Sequence, residues 1–279
     1  MSRHRYRCQM RWGDMDAQGH VNNAVYLDYL QEARVDFLLT GPPALANMLT
    51  AGVLVVGHQV EYLAPVVFGV RPLTIELWVD SVGGSRFAVG YEVFDGELLA
   101  VRARTAVVPF DLATDTLRRL TPEERAPLTA HLEPAPPLRP LPRMRWTGRD
   151  HSYPFAIRWS DLDSYGHVNN VKYYDYIQEA RIALVVESLG WTEEDVWLVV
   201  RQDLDYLKPV DFRTEPFEIR TVVAAIGSRS FTLAAEIRDP ASQAVFAAAR
   251  TVLVAPGPLK PDQRAALESR RPSGALEAV

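Results

Sequence analysis

Between residues 22 and 40, the apolar side chains Tyr26, Tyr29, Leu30, Ala33 and Phe37 recur at i, i+3, i+4, i+7 and i+11. This is the spacing of one buried helical face, and it predicts a helix over 22–40. A similar pattern predicts a second helix over 169–189, with Gly190 placed to end it. Short alternating runs ahead of each helix, at 5–12 and 153–159, read as strands. After the first helix, runs rich in Val, Ile, Phe and Thr near 53–63, 72–82, 85–95 and 97–110 predict four more strands. A second set falls near 197–207, 215–226, 229–238 and 244–255. Asp95-Gly96 and Asp239-Pro240 mark tight turns. Thr121-Pro122-Glu123-Glu124 has a cap, a proline at the first helical position and a capping-box glutamate. One long helix followed by four antiparallel strands predicts an α+β unit in which a sheet packs along the helix.

The same order occurs twice because the chain is a duplication. Residues 11–36 and 158–183 are identical at 16 of 26 positions with a constant offset of 147, whereas 66–94 and 210–238 agree at only 8 of 29. Val60-Glu-Tyr-Leu-Ala-Pro65 answers Leu204-Asp-Tyr-Leu-Lys-Pro209 at an offset of 144. Between the copies runs Glu133-Pro-Ala-Pro-Pro-Leu-Arg-Pro-Leu-Pro-Arg143, with five prolines in eleven residues. Such a stretch favours extended, semi-rigid geometry. The predicted organisation is a first domain over 1–131, a linker over 132–149 and a second domain over 150–279.

Composition narrows the function classes. The 279 residues carry 30 basic and 35 acidic side chains, a net charge of −5, which argues against a general nucleic-acid binder. A single cysteine, Cys8, excludes an intrachain disulfide and a multi-thiolate metal site. No apolar run approaches the ~18 residues of a membrane helix, and residues 1–12 lack the apolar core of a secretory signal. The expected setting is the cytoplasm, without membrane insertion.

The identities between the copies are concentrated in polar residues. Each copy has two aspartates in a turn (Asp14 and Asp16; Asp161 and Asp163), then Gly-His-Val-Asn-Asn leading into the helix. Those last residues are Gly19, His20, Asn22 and Asn23 in the first copy, and Gly166, His167, Asn169 and Asn170 in the second. Aspartate and asparagine are ordinary turn and cap residues. Packing alone, however, would mainly fix apolar positions, and ten of the 16 identities are polar or charged. A helix start offers unpaired N–H groups and the positive end of the helix dipole. A carbonyl oxygen held there becomes an oxyanion at reduced cost. An aspartate folded back beside it can attack directly or take a proton from water. Glycine would let backbone approach a ligand, with Asn22 and Asn169 as further contacts. The histidines act as general base or orient the aspartate turn. Arg86 and Arg229 are candidates for the phosphates of a substrate. No His/Cys/carboxylate spacing suggests a metal, and no Gly-rich loop suggests a nucleotide cofactor, so none is expected.

The pattern Asp-x-Asp-x-x-Gly-His-Val-Asn-Asn-x-x-Tyr, followed by Glu-Ala-Arg, resembles the hotdog-fold thioesterases of the 4-hydroxybenzoyl-CoA thioesterase type. The second copy, over 160–173, is similar to bacterial long-chain acyl-CoA thioesterases and plant acyl-ACP thioesterases. The resemblance implies a tandem double hotdog, each half a long central helix wrapped by an antiparallel sheet. The two hotdogs would form an internal pair with active sites at their interface, and their exposed faces leave room for a homo-oligomer. The implied activity is hydrolysis of acyl-CoA or acyl-ACP thioesters. The catalytic aspartate matches Asp16 and Asp163, and the oxyanion donor falls near Asn23 and Asn170. His20 and His167 match a histidine proposed to act in the plant enzymes. Those enzymes also carry an asparagine two positions after the aspartate. Gln18 and Tyr165 stand there instead, so that mechanism is not carried over. Alternative readings are a non-catalytic acyl-thioester binding module, or a hydratase or dehydratase on the same fold.

Overall fold

The computed structural model describes residues 3–139, 141–190 and 197–279. The chain forms two compact units, Met1–Leu138 and Arg139–Val279. In the first, β1 (His4–Cys8) leads through a 3-10 turn (Trp12–Asp14) to α1 (Val25–Thr40) and α2 (Pro43–Ala51). Then follow β2 (Val53–Tyr62), β3 (Leu73–Val82), β4 (Phe87–Asp95), β5 (Leu98–Asp111), the short β6 (Thr116–Leu117) and α3 (Pro122–Ala130). The five long strands pair antiparallel in the order β1-β3-β4-β5-β2. The second unit has β7 (Met144–Trp146), β8 (His151–Phe155), a 3-10 turn (Trp159–Asp161) and α4 (Lys172–Leu189). It continues with β9 (Leu198–Tyr206), β10 (Phe217–Ile226), β11 (Ser230–Arg238), β12 (Val245–Val254), α5 (Pro261–Ser269) and β13 (Leu276–Ala278). Its antiparallel order, β8-β10-β11-β12-β9, repeats that of the first unit.

The helical stripe read from the sequence is the buried face. Tyr26, Leu27, Tyr29, Leu30, Ala33, Phe37 and Leu38 are at most 3% exposed. In α4, Tyr173, Tyr174, Ile177, Ala180, Leu184 and Val185 take the same places. Leu184 and Val185 pack against Val223 of β10, Phe231 and Leu233 of β11, Leu253 of β12 and Leu267 of α5. That is one helix lying on one sheet face, driven by removal of apolar surface from water. The charged positions Arg34 and Arg181 lie on the buried side as well, and Arg34 donates to the Tyr91 hydroxyl at 3.3 Å.

The structure differs from expectation at several elements. The strands predicted over 5–12 and 153–159 end at Cys8 and Phe155, because the chain turns into the two 3-10 turns. Helix α2 was not predicted: its buried residues, Leu45 and Met48, are too few to show a period. The unit boundary falls within the proline-rich stretch, whose Pro140 lies outside the described residues. Residues 144–146, counted with the linker, form β7 and pair with β13. Trp146 there packs on Val222 and Ala234, so the second unit starts before residue 150. The cap read at Thr121 is present, with Thr121 Oγ1 accepting from the Glu124 N–H and the Glu124 carboxylate accepting from the Thr121 N–H.

Candidate active site

In both copies the motif folds into a small hairpin that opens the long helix. The Asn22 N–H donates to the Asp14 carbonyl at 2.9 Å and the Asp16 N–H to the His20 carbonyl at 2.8 Å, while Met15 bridges Val21. In the second copy Asn169 donates to Asp161 at 2.8 Å, Asp163 to His167 at 2.8 Å, and Leu162 bridges Val168. The hairpin closes when Gly19 donates to the Asp16 carbonyl at 3.0 Å and Gly166 to that of Asp163 at 3.1 Å. Both glycines have positive φ, 78° and 84°, and a Cβ on either would meet nothing within 4 Å. They are needed for the left-handed turn; the expected role in close ligand approach is not what the local geometry requires.

The two aspartates of each pair have different surroundings. Asp14 is buried; its carboxylate accepts from the Arg11 N–H at 2.7 Å and from the Tyr29 hydroxyl of α1 at 2.5 Å. Asp161 is held alike by the Arg158 N–H at 2.8 Å and the Tyr176 hydroxyl at 2.6 Å. Burial, together with these carboxylates, pushes both phenols well above the usual tyrosine range. The first aspartate therefore staples the hairpin to the helix. The second is half-buried: Asp16 Oδ1 accepts from the Gln18 N–H and Asp163 Oδ1 from the Tyr165 N–H, each at 2.9 Å. Among the described residues, no donor reaches Oδ2 of either. The Tyr26 hydroxyl is pushed up by burial and then by the Asp95 and Asp16 charges. Burial raises Tyr173 likewise, with Asp163 adding to it. The Asp16 and Asp163 charges thus act on a tyrosine in the first turn of each helix.

Asn22 and Asn169 form Asx turns just ahead of the helices. Asn22 Oδ1 accepts from the Ala24 N–H at 2.8 Å, and Asn169 Oδ1 from the Val171 N–H at 3.2 Å. Both Oδ1 atoms are thereby spent on the turn. The Asn23 carbonyl accepts from the Tyr62 hydroxyl at 2.8 Å and the Asn170 carbonyl from the Tyr206 hydroxyl at 2.6 Å. These tyrosines were missed as site residues, although the repeated Glu/Asp-Tyr-Leu segment contains both. They fix the helix entry from β2 and β9, and their rings stack edge-on against Tyr26 and Tyr173.

His20 and His167 lie half-buried opposite the candidate aspartates. Among the described residues the His20 ring makes no hydrogen bond, whereas His167 Nε2 lies 3.8 Å from Asp211 Oδ1. Arg86 and Arg229 are not brought to this site within their own units. Both are exposed in hairpin turns, just before β4 and β11. Cys8 pairs with Leu73 and Phe155 with Phe217, so the motif adjoins the start of β3 and of β10. The two arginines lie beyond the other end of those ten-residue strands, about 30 Å away at strand rise.

The sequence profile described as "Thioesterase-like superfamily" matches residues 10–137 and again residues 157–255. The chain belongs to the thioesterase-like superfamily. Its fold is similar to a chain assigned as an oleoyl thioesterase from Lactobacillus plantarum, with TM-score 0.73, 16% identity, and 91% of this chain and 96% of that one covered. It is also similar to an acyl-ACP thioesterase from Bacteroides thetaiotaomicron (TM-score 0.67, 14% identity, 89% and 96% covered). A third such structure is the 12:0-ACP thioesterase from Umbellularia californica (TM-score 0.68, 16% identity, 90% and 93% covered). In sequence, 80 residues are 32% identical to the uncharacterized protein YsmA of Bacillus subtilis, spanning 28% of this chain and 54% of that relative. Among the described residues, no helix of this superfamily member is long and apolar enough to cross a membrane.

Proposed function

We propose that the protein hydrolyses acyl thioesters of CoA or acyl carrier protein, with one site in each unit of a tandem double hotdog. The observation that carries this is the division of labour within each aspartate pair. Asp14 and Asp161 spend their carboxylates on the fold. Asp16 and Asp163 are anchored through Oδ1 alone, beside the opening of a long helix. In the proposed reaction, the water oxygen bonds to the thioester carbonyl carbon as Asp16 or Asp163 takes one water proton. The carbonyl oxygen becomes an oxyanion held by main-chain N–H groups near Asn23 or Asn170, a contribution of about 10²–10³ in rate. Collapse breaks the C–S bond, and the proton passes to the departing sulfur, leaving acid and thiol. Direct attack by the carboxylate, followed by hydrolysis of the anhydride, has the same balance.

Superfamily membership favours this reading over a binding module without turnover. The test is Asp16→Asn together with Asp163→Asn, following thiol release from acyl-CoAs of graded chain length and from acyl carrier protein. A general base contributes about 10²–10⁴, so the double variant is expected to lose nearly all turnover. Undiminished turnover would overturn the assignment.

A further inference from the structure

We propose that the first unit docks on an anionic lipid surface through Trp12 and the loop 63–72, a contact the second unit does not make. The proposal goes beyond the hydrolase reading and does not depend on it. The loop joins β2 to β3 and reads Leu-Ala-Pro-Val-Val-Phe-Gly-Val-Arg-Pro, with no acidic residue. It is pinned to the scaffold. The Leu63 N–H donates to the Ala100 carbonyl at 2.8 Å, and the carbonyl of the buried Val66 accepts from the Val21 N–H at 2.8 Å. Around these anchors, apolar side chains stand in solvent. Leu63 and Val67 are exposed, Val70 is 90% exposed and Trp12 73%. The Trp12 ring meets Phe68 of the loop edge-on, with 5.5 Å between centroids. A single exposed apolar side chain is ordinary, but several on one short segment mark an interaction surface.

Cations flank this segment. Arg71 ends the loop and Arg11 precedes Trp12, both exposed, while their partners Asp95 and Asp14 lie deeper. Arg7 of β1 is exposed beside Thr74 of β3, just past the loop, and meets no carboxylate among the described residues. Aromatic and aliphatic tips bordered by arginine suit the boundary between lipid headgroups and acyl chains. Side chains projecting singly from a loop also suit a fluid medium, which closes around each of them. A second copy related by a two-fold axis would instead set one basic rim against another.

The second unit is an internal control. Trp159 and Phe212 repeat the aromatic pair, with 5.4 Å between centroids. Its loop, 207–216, reads Leu-Lys-Pro-Val-Asp-Phe-Arg-Thr-Glu-Pro, so Asp211, Thr214 and Glu215 stand where the first unit has Val67, Val70 and Arg71. The aliphatic tip is gone, and its carboxylates repel anionic headgroups.

The test is flotation of the full-length chain with vesicles of phosphatidylcholine and phosphatidylglycerol. The unaltered chain should float, and less so as salt screens the charges. Val67→Asp with Val70→Thr writes the second loop's residues into the first and should weaken vesicle binding at least about tenfold. Arg7→Gln should weaken it about fivefold. All three positions are exposed, so the thermal unfolding midpoint should stay unchanged and mark the loss as one of docking. No flotation, or undiminished flotation of the Val67→Asp, Val70→Thr variant, would overturn the proposal. So would a lower molecular mass of that variant in lipid-free sedimentation, which would make the loop an interface between copies. Turnover does not enter these measurements, so their failure leaves the hydrolase reading standing.

Discussion

The two motif hairpins agree closely in their main chain and disagree in what surrounds them. The three closing hydrogen bonds are 2.9, 2.8 and 3.0 Å in the first copy and 2.8, 2.8 and 3.1 Å in the second. Around them, Gln18 is replaced by Tyr165, Val25 by Lys172, Ala64 by Lys208 and Val67 by Asp211. Two of the three lysines in the chain therefore fall beside the second site, where the first copy has apolar residues. Backbone bonds do not depend on side-chain identity. The scaffold can hold while the chemistry at its rim drifts.

The largest expected difference is in turnover. Asp16→Asn and Asp163→Asn, made separately, should each silence one copy and leave a different residual rate, read as thiol release over a substrate panel. Equal residual rates on every substrate would show that the rim differences do not matter to the reaction.

Next come the staples. Tyr29→Phe leaves the buried Asp14 carboxylate without its helix partner, at a cost of about 1–3 kcal/mol. Tyr176→Phe should cost less, because Tyr176 is more exposed than the 3% of Tyr29. Denaturant unfolding of both variants measures the gap.

A further contrast is acid sensitivity. His58 is fully buried in β2 and held well below its ordinary value of 6.5 by burial and by Arg34. The corresponding residue of β9 is Gln202. The unfolded chain takes up a proton near pH 6.5 that the folded chain refuses. His58 therefore makes stability fall as pH drops below about 6.5, by up to about 1.4 kcal/mol per pH unit. His58→Gln, which copies the second unit, should flatten that slope between pH 6.5 and 5 in urea titrations.

The smallest expected difference is between Gly19→Ala and Gly166→Ala. Both turns are left-handed and open, so each should lose about 1 kcal/mol and by equal amounts. A clear inequality in unfolding free energy would mean the two hairpins are not the same structure.

Much of this was legible in order along the chain. The strands read near 72–82 and 229–238 lie at 73–82 and 230–238, because β-branched runs bounded by glycine carry a local signal. The two aspartates could not be told apart by spacing. The structure shows Asp14 spent on Arg11 and on Tyr29, folded over from the helix. Nor could the sequence reveal that Arg34 is buried against Tyr91, a residue 57 positions away, or that Trp146 belongs to a sheet closed by the last residues of the chain.

By itself, then, the sequence determined the duplication, the helix with its buried stripe, the succession of strands along the chain and the polar motif, all of which rest on local periodicity and on comparing one copy with the other. The tertiary structure decided which polar residues are structural. It assigned Asp14, Asn22 and Gly19 to holding the turn and left Asp16 with an uncommitted carboxylate oxygen. A polar side chain's role depends on which donors and acceptors long-range packing brings to it, and residues far apart in the chain supply them.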